Sequence, residues 1–496
     1  MAFIDSTSVN VALPALQSDL HATVVDVQWV IESYGLFLSA LILVGGALGD
    51  SLGRRAMFML GVFAFAIASA GCGFSSSIGS LVAWRSVQGI AAAFMVPGSL
   101  AIISSSFDEQ SRGRAIGTWA GFTTMTTALG PALGGWLIEN VSWHWIFFIN
   151  APLAGLVLLI SFWHVPESRS SDTRRVDWLG AATATAGLAA VVYGFLESAV
   201  FGWMQPRVVG SLIFGFGCLI VFVFIESVVR SPMVPLQLFK SPSFSGANLL
   251  TLCLYAALGI FFFLFPLNLI QIQKYSATAT GAASFPMMLL MFLLSRWSGG
   301  LITRYGPRAP LIVGPLIAAA GFLLFAVPTA PIHYWTELFP AFLVLGLGMA
   351  ISVAPLTTVV MNSVDPERAG TASGINNAVA RVAGVLAVAI LGVVMVAAFS
   401  HSLRNSLAGL NLNAGLVHEL ESNVARLGSL DAPSGTDPQT ANMIHSAVTE
   451  AFLFAFRRIM LLCAGLAMAS AAVAWRKIPS QKSETSPALG HIASVN

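Results

Sequence analysis

Hydrophobic positions in this chain do not alternate with polar ones; they come in long runs of about twenty residues, separated by short polar breaks. A run of that length, coiled as a helix, covers a hydrocarbon core of about 30 Å, and in lipid the backbone must close its hydrogen bonds within the segment. The pattern predicts helices near residues 1–16, 26–47, 56–75, 79–103, 114–138 and 145–164, then 178–198 and 207–229, then 245–270, 280–302, 309–328, 335–360, 371–399 and 451–474. The reading is an all-α integral membrane protein with about fourteen transmembrane helices, arranged as two groups of six with an extra pair between them. Its divisions are an N-terminal bundle over 1–164, a linker with two further helices over 165–230, a C-terminal bundle over 245–474 and a cytoplasmic tail over 475–496.

Two segments break the pattern. Between Ser400 and Glu450 the chain turns polar, with Leu403, Leu407, Leu410, Val417, Leu420 and Val424 at helical spacing, which predicts an amphipathic external hairpin. At the other end, a first helix of about 16 residues is only ~24 Å long, short of a full span. The expectation is that Met1 lies inside a longer first helix. A signal peptide is opposed by the lack of a basic leader and of a small-residue cleavage site.

Composition sharpens the class. Hydrophobic residues make up 56% of the chain and charged ones only 9%, with a mean hydropathy of +0.81, far from the balance of a water-soluble domain. A net charge of +2 and only four lysines leave no basic tract for nucleic acid. The cysteines Cys72, Cys218, Cys253 and Cys463 all fall in apolar runs, where a thiol acts as a small hydrophobe, so neither disulfide nor metal is expected. With the amino terminus inside, arginines and lysines favour the cytoplasmic loops by roughly 15 to 6. Both termini are then cytoplasmic, and the expected location is the cytoplasmic (inner) membrane.

Charges inside apolar runs are costly, by upwards of ~2.5 kcal/mol at the bilayer centre, so they should face a wet cavity or one another. Asp5, Glu32 and Arg85 stand out. Burial favours a protonated carboxyl and a neighbouring arginine favours a charged one, so a carboxylate held between the two can load and release a proton. Asp5 and Glu32 are the candidate proton carriers and Arg85 their fixed partner, against the alternative of a structural ion pair. Arg381, close to Asn376 and Asn377, is a candidate cavity residue, whereas Arg296 can snorkel. Glu197 and Glu226 are expected near helix ends.

The chain also repeats itself. Gly46-Ala47-Leu48-Gly49-Asp50-Ser51-Leu52-Gly53-Arg54-Arg55 follows the second helix, and Gly299-Gly300-Leu301-Ile302-Thr303-Arg304-Tyr305-Gly306-Pro307-Arg308 follows the tenth, with Thr303 in place of Asp50. Gly113-Arg114-Ala115-Ile116-Gly117 is related in the same way to Gly370-Thr371-Ala372-Ser373-Gly374. Gly53 and Gly306 fit tight turns, and Asp50, Arg54 and Arg55 could pair with charges or helix ends of the neighbouring bundle. Two homologous halves suit a secondary transporter that rocks one bundle against the other.

The first of these loops resembles motif A of the major facilitator superfamily, and other segments resemble its 14-helix drug:proton antiporter branch of the EmrB/QacA type. Asp5 to Pro14 resembles the first-helix motif, and Arg85-Ser86-Val87-Gln88-Gly89 resembles motif B. Gly117, Gly130-Pro131 and Gly134-Gly135 resemble the antiporter motif C, with Thr126 where a glycine is usual. Trp143 to Pro152 resembles the opening of the sixth helix, with His144 where arginine is common. The resemblance implies a major facilitator fold and proton-coupled efflux of small lipophilic or amphiphilic compounds, driven by the proton gradient with no cofactor. It also implies a possible periplasmic adaptor and outer-membrane channel, with the segment 400–450 as the contact. A glycine-rich loop ending in Gly-Lys-Ser/Thr is absent, as are a zinc-protease motif and a nucleophile elbow, which argues against ATP as fuel and against a hydrolase. The rival readings are an exporter of amino acids, sugars or siderophores, and a transport-inactive membrane sensor of the same fold.

Overall fold

The structure is a computed structural model that describes residues 1–480 apart from 23, 170–176, 230–231, 233, 328–329, 366–367, 409, 411, 423, 431 and 433–435. The helices of the first half are α1 (Ala2–Asp19), α2 (Val24–Leu52), α3 (Arg54–Gly73), α4 (Ile78–Ser106), α5 (Glu109–Asn140) and α6 (His144–His164). A pair follows, α7 (Trp178–Phe201) and α8 (Pro206–Val228). The second half contains α9 (Pro242–Leu267), α10 (Ala279–Gly299), α11 (Arg308–Phe325), α12 (Tyr334–Asn362), α13 (Ala369–Ala408) and α14 (Pro438–Lys477).

Polar side chains start several of these helices by accepting otherwise unpaired first-turn amides. Asp108 accepts from the Ser111 amide at 2.8 Å and from the Ser111 hydroxyl. Asp437 accepts from Gln439 and Thr440 amides at 2.9 and 3.1 Å. Those bonds, the Ser111 hydroxyl first for Asp108 and Thr440 first for Asp437, hold both exposed carboxyls below the usual aspartate range. At the turns between α2 and α3 and before α11, Gly53 and Gly306 sit at φ 121° and 75°, a region that side-chain-bearing residues rarely enter.

Packing follows the repeat. In the first half α4 lies against α2 and α3, and α1 against α5; in the second, α12 lies against α10 and α11, and α9 against α13. The halves meet along two seams, α2 and α4 on α13, and α5 on α10 and α12. The α7–α8 pair sits outside, with α7 touching α2 and α13, while α8 leaves Ile213, Phe214, Ile220 and Phe224 exposed, a greasy face suited to lipid. Among the described residues twelve helices are long and apolar enough to cross a membrane. Neither α1 nor α5 is one of them, so the expectation of about fourteen spans goes beyond what length and composition support.

The segment 400–450, expected to be an external hairpin, is not a free one. α13 continues through Ala408 and α14 already begins at Pro438, with a short helix Ala414–Ser422 between. Leu403, Leu407, Leu420, Leu427 and Leu430 are buried in the same core as the second half. The leucine stripe forms a buried helical face, as its spacing predicts, but its partner is the chain's own bundle.

Candidate functional site

Asp5 and Arg85 are completely buried inside the first half, with Arg85 Nη1 2.5 Å from Asp5 Oδ2. Both carboxylate oxygens are engaged. The other one, Oδ1, accepts from Gln88 Nε2 at 3.1 Å and Asn150 Nδ2 at 3.0 Å. Arg85 Nε donates to the Val30 carbonyl at 2.9 Å, Nη1 also reaches Gln88 Oε1 at 2.8 Å, and the guanidinium carbon lies 4.4 Å from the Tyr34 ring centre. Ser69 Oγ ties the amides of Gln88 and Asn150 together at 2.6 and 3.0 Å. Five helices, α1 to α4 and α6, thus converge on one buried cluster. Removing either charge from such a pair leaves the other buried and uncompensated, at a cost of about 3–5 kcal/mol. The side chain of Glu32 lies outside the described residues.

A second carboxylate closes a seam between the halves. Asp50 accepts the amides of Gly370 and Thr371, in the first turn of α13, at 3.0 and 2.8 Å, and Arg54 donates to its Oδ1 from Nε at 2.9 Å and Nη2 at 2.8 Å. A negative charge on the positive end of a helix stabilises the contact by about 1–2 kcal/mol when partly buried. The fit requires glycine: a methyl group on Gly46 or on Gly370 would collide with the other's carbonyl oxygen. Arg55 stays within its own half, donating to the Val165 carbonyl at 3.1 Å, while Glu167 accepts the Arg55 and Ala56 amides at 3.0 Å each.

The repeat makes a matching contact on the other seam. Gly299 and Gly113 face each other backbone to backbone, again with no room for a Cβ on either. Thr303, which replaces the aspartate, donates to its local Gly300 carbonyl at 2.6 Å, and Arg308 Nε donates to the Ile478 carbonyl at 2.6 Å. The α5 glycines serve two neighbours. Gly117 lies on α10, with the Ser295 hydroxyl donating to its carbonyl; Gly130 and Gly134 lie on α1, where Ser8 donates to the Gly130 carbonyl at 2.7 Å and a Cβ on Gly134 would stand 2.9 Å from that of Ser8. Gly135 is looser, since a Cβ there would stand 3.8 Å from Val11. The side chain of Pro131 lies outside the described residues.

Between the halves lies a cavity of about 370 Å³. Phe3 of α1 and Trp119 and three threonines of α5 line one side; Met287, Met288, Met291, Met349 and Met361 line the other. Asn376, Asn377 and Arg381 reach it from α13. Its wall contains no carboxylate among the described residues. Arg296 instead lines a more open crevice of about 860 Å³ that shares Phe3, Trp119 and Thr123 with the cavity.

A pseudo-symmetric helical pair of halves around a central cavity is one line of evidence; sequence comparison supplies the other. The profile of the Major Facilitator Superfamily matches residues 1–388. The chain belongs to that superfamily. It is 31% identical over 494 residues to the tetracenomycin C resistance and export protein of Streptomyces glaucescens, covering 98% of this chain and 91% of the relative. It is 35% identical over 400 residues to the puromycin resistance protein pur8 of Streptomyces alboniger, covering 79% of each. Among solved structures, the superfamily's proton:xylose symporter XylE aligns over 96% of this chain and 93% of its own with a TM-score of 0.55 at 13% identity, a likeness of fold. As a major facilitator, this protein is a multi-pass membrane transporter of small molecules and not an enzyme.

Within the superfamily fold, the sequence candidates Asp5 and Arg85 come together, as do Asp50 and Arg54, and Arg381 joins Asn376 and Asn377 on the cavity. Ser69 and Tyr34 carry no comparable mark in the sequence, and Gln88 and Asn150 stand in motifs that assign them no role. A serine or amide in an apolar run is a weaker signal than a charge, because it costs less to insert. Glu197 and Glu226, expected at helix ends, are buried: Glu197 lies 3.7 Å from Arg207, and Glu226 accepts the Val234 amide at 3.0 Å.

Proposed function

We propose that the protein exports small lipophilic or amphiphilic compounds across the cytoplasmic membrane in exchange for protons, by alternating access of the central cavity. The observation that carries this reading is the fully buried Asp5–Arg85 pair, with Asp5 on the same helix as Phe3, which lines the cavity. A carboxylate that can be neutralised there has a mechanical outlet. Protonating Asp5 removes the charge opposite Arg85 and weakens the hold of α4 on α1. α1 is seated on α5 through Gly130 and Gly134, and α5 meets the other half through Gly113 and Gly117. The Tyr34 ring of α2 lies 4.4 Å from the Arg85 guanidinium carbon, so a change at the pair reaches α2, which meets α13 of the other half. The Asp50 contact and the two glycine pairs then belong to the state closed toward the arginine-rich, cytoplasmic side. The Streptomyces relatives are named for resistance, one of them also for export, which supports the direction.

In this reading residues 1–164 and 245–474 are the rocking bundles, 165–230 is a peripheral insertion, α1 and α5 complete the spans, and both termini are cytoplasmic. Gly46, Gly53, Arg54, Arg55, Gly299, Gly306 and Arg308 shape the cytoplasmic closure. The proton gradient is the energy source. The buried leucines of segment 400–450 are covered by the chain itself, so that face is not free to dock an adaptor. The test is accumulation of a fluorescent lipophilic dye in inverted vesicles that contain the protein and are acid inside. Uptake should need the gradient and collapse with an uncoupler; accumulation indifferent to the uncoupler would remove proton coupling.

A further inference from the structure

The cavity's chemistry is one-sided. Among the described lining residues only Arg381 and Tyr255 carry ionisable side chains, and the guanidinium is the one that carries charge at neutral pH. No described carboxylate forms an ion pair with Arg381, whereas the other arginine of the centre, Arg85, is matched by Asp5 at 2.5 Å. The Asp5–Arg85 pair is neutral as a unit, so among the described side chains Arg381 is left as an unmatched positive charge on the cavity wall. Other polar groups on the wall do not offset it. Thr124 and Thr127 commit their hydroxyl protons to the Ala120 and Thr123 carbonyls of their own helix at 3.0 and 2.8 Å. Asn377 donates to the Ser373 carbonyl at 2.9 Å, and Asn376 lies 3.0 Å from Thr251 Oγ1. Around these groups stand five methionines with Phe3, Phe262 and Trp119, a soft, polarisable surface that accepts flat apolar bodies of various shapes.

We propose that the cavity selects anionic aromatic amphiphiles, with Arg381 as the residue that sets the charge preference: a carboxylate, sulfonate or phenolate of the ligand pairs with its guanidinium while the ring system lies against the methionines. The proposal rests on the cavity being the transport site, and it adds the class of cargo. A half-buried guanidinium with no counter-ion among the described residues gains most from an anionic ligand, gains little from a neutral one and repels a cation. The charge on the ligand also has a consequence for the cycle. Moving one anion out and one proton in carries two positive charges inward, so the membrane potential should drive export together with the pH gradient.

The test uses three naphthalene probes on the full-length protein in nanodiscs: anilinonaphthalene sulfonate as the anion, phenylnaphthylamine as its neutral counterpart, and naphthylethylenediamine as the cation. Displacement titrations without any gradient read the preference for charge separately from transport. Wild type should bind the sulfonate at least about tenfold more tightly than either other probe, as expected for a charge-assisted hydrogen bond. Arg381→Gln should erase the ranking and Arg381→Lys should restore most of it. Equal or stronger binding of the neutral or cationic probe to wild type would overturn the proposal whether or not the variants fold, as would a ranking unchanged in Arg381→Gln. A sulfonate preference in a protein that shows no gradient-driven transport would uphold the charge preference set by Arg381 and sink the exporter reading, and with it the assignment of these compounds as cargo.

Discussion

Arg85 serves the Val30 carbonyl, Asp5 and Gln88 at once, at 2.9, 2.5 and 2.8 Å, from two nitrogens of one planar group. A lysine has the charge but not the fork, so it can keep Asp5 only by abandoning Val30 or Gln88. Arg85→Lys should therefore insert normally and lose at least about tenfold in gradient-driven efflux, which is more than a charge-only role would predict. Wild-type rates in this variant would reduce Arg85 to a counter-ion. The exposed Asp108 allows a pH test. Its carboxyl is held low by Ser111, so the cap is fully formed above the ordinary aspartate value of about 3.9 and is lost as pH falls through the depressed folded value. Hydrogen exchange at the first turn of α5, corrected for intrinsic rates, should accelerate below that window in wild type and show no such step in Asp108→Ala. At this scale the sequence reveals what is expensive. Asp5 and Arg85 announce themselves because a charge in an apolar run is costly to insert, but Ser69 and Asn150 lie 81 residues apart and only folding shows that they share a bond.

At the scale of elements, α5 joins the two halves, seated by glycines on α1 in its own half and on α10 in the other. Gly134→Leu would force a branched side chain into a space where even a Cβ stands 2.9 Å from Ser8. Overpacking of this kind typically costs about 1–3 kcal/mol. The variant should reach the membrane in normal amounts and pump at about a tenth of the wild-type rate or less; unimpaired pumping would detach the α1–α5 contact from the mechanism. Hydrophobic run length makes the helices readable but places some ends poorly. α13 and α14 project past the expected 399 and 451 because their polar extensions, carrying Leu403 and Leu407 on one and Ile444 and Val448 on the other, bury an apolar stripe against the same half. The apolar character of α5 predicts a span, yet its glycines and threonines leave it outside the twelve helices that qualify by length and hydropathy. Its glycines seat it closely on α1 and α10, while Phe122, Leu129 and Trp136 remain exposed.

For the whole molecule, the repeat visible in the sequence becomes a matched pair of contacts, Gly46 with Gly370 on one seam and Gly113 with Gly299 on the other. Both halves retain the close backbone approach, while only the first half keeps the aspartate that caps the opposite bundle. The seams are therefore alike in shape and unlike in charge; the buried Asp5–Arg85 pair lies in the first half, whereas Arg381 reaches the cavity from the second. Sequence can supply the repeat and the charges, but not this division of labour, because it depends on which loop of one half meets which helix start of the other. The most direct measurement compares wild type with Asp5→Asn in proteoliposomes, following both uphill accumulation of a lipophilic dye under an imposed pH gradient and gradient-free exchange of that dye between the two sides. Wild type should do both, and Asp5→Asn should keep exchange while losing accumulation by at least about tenfold. Gradient-driven accumulation undiminished in Asp5→Asn would contradict the assignment of the buried pair as the proton carrier.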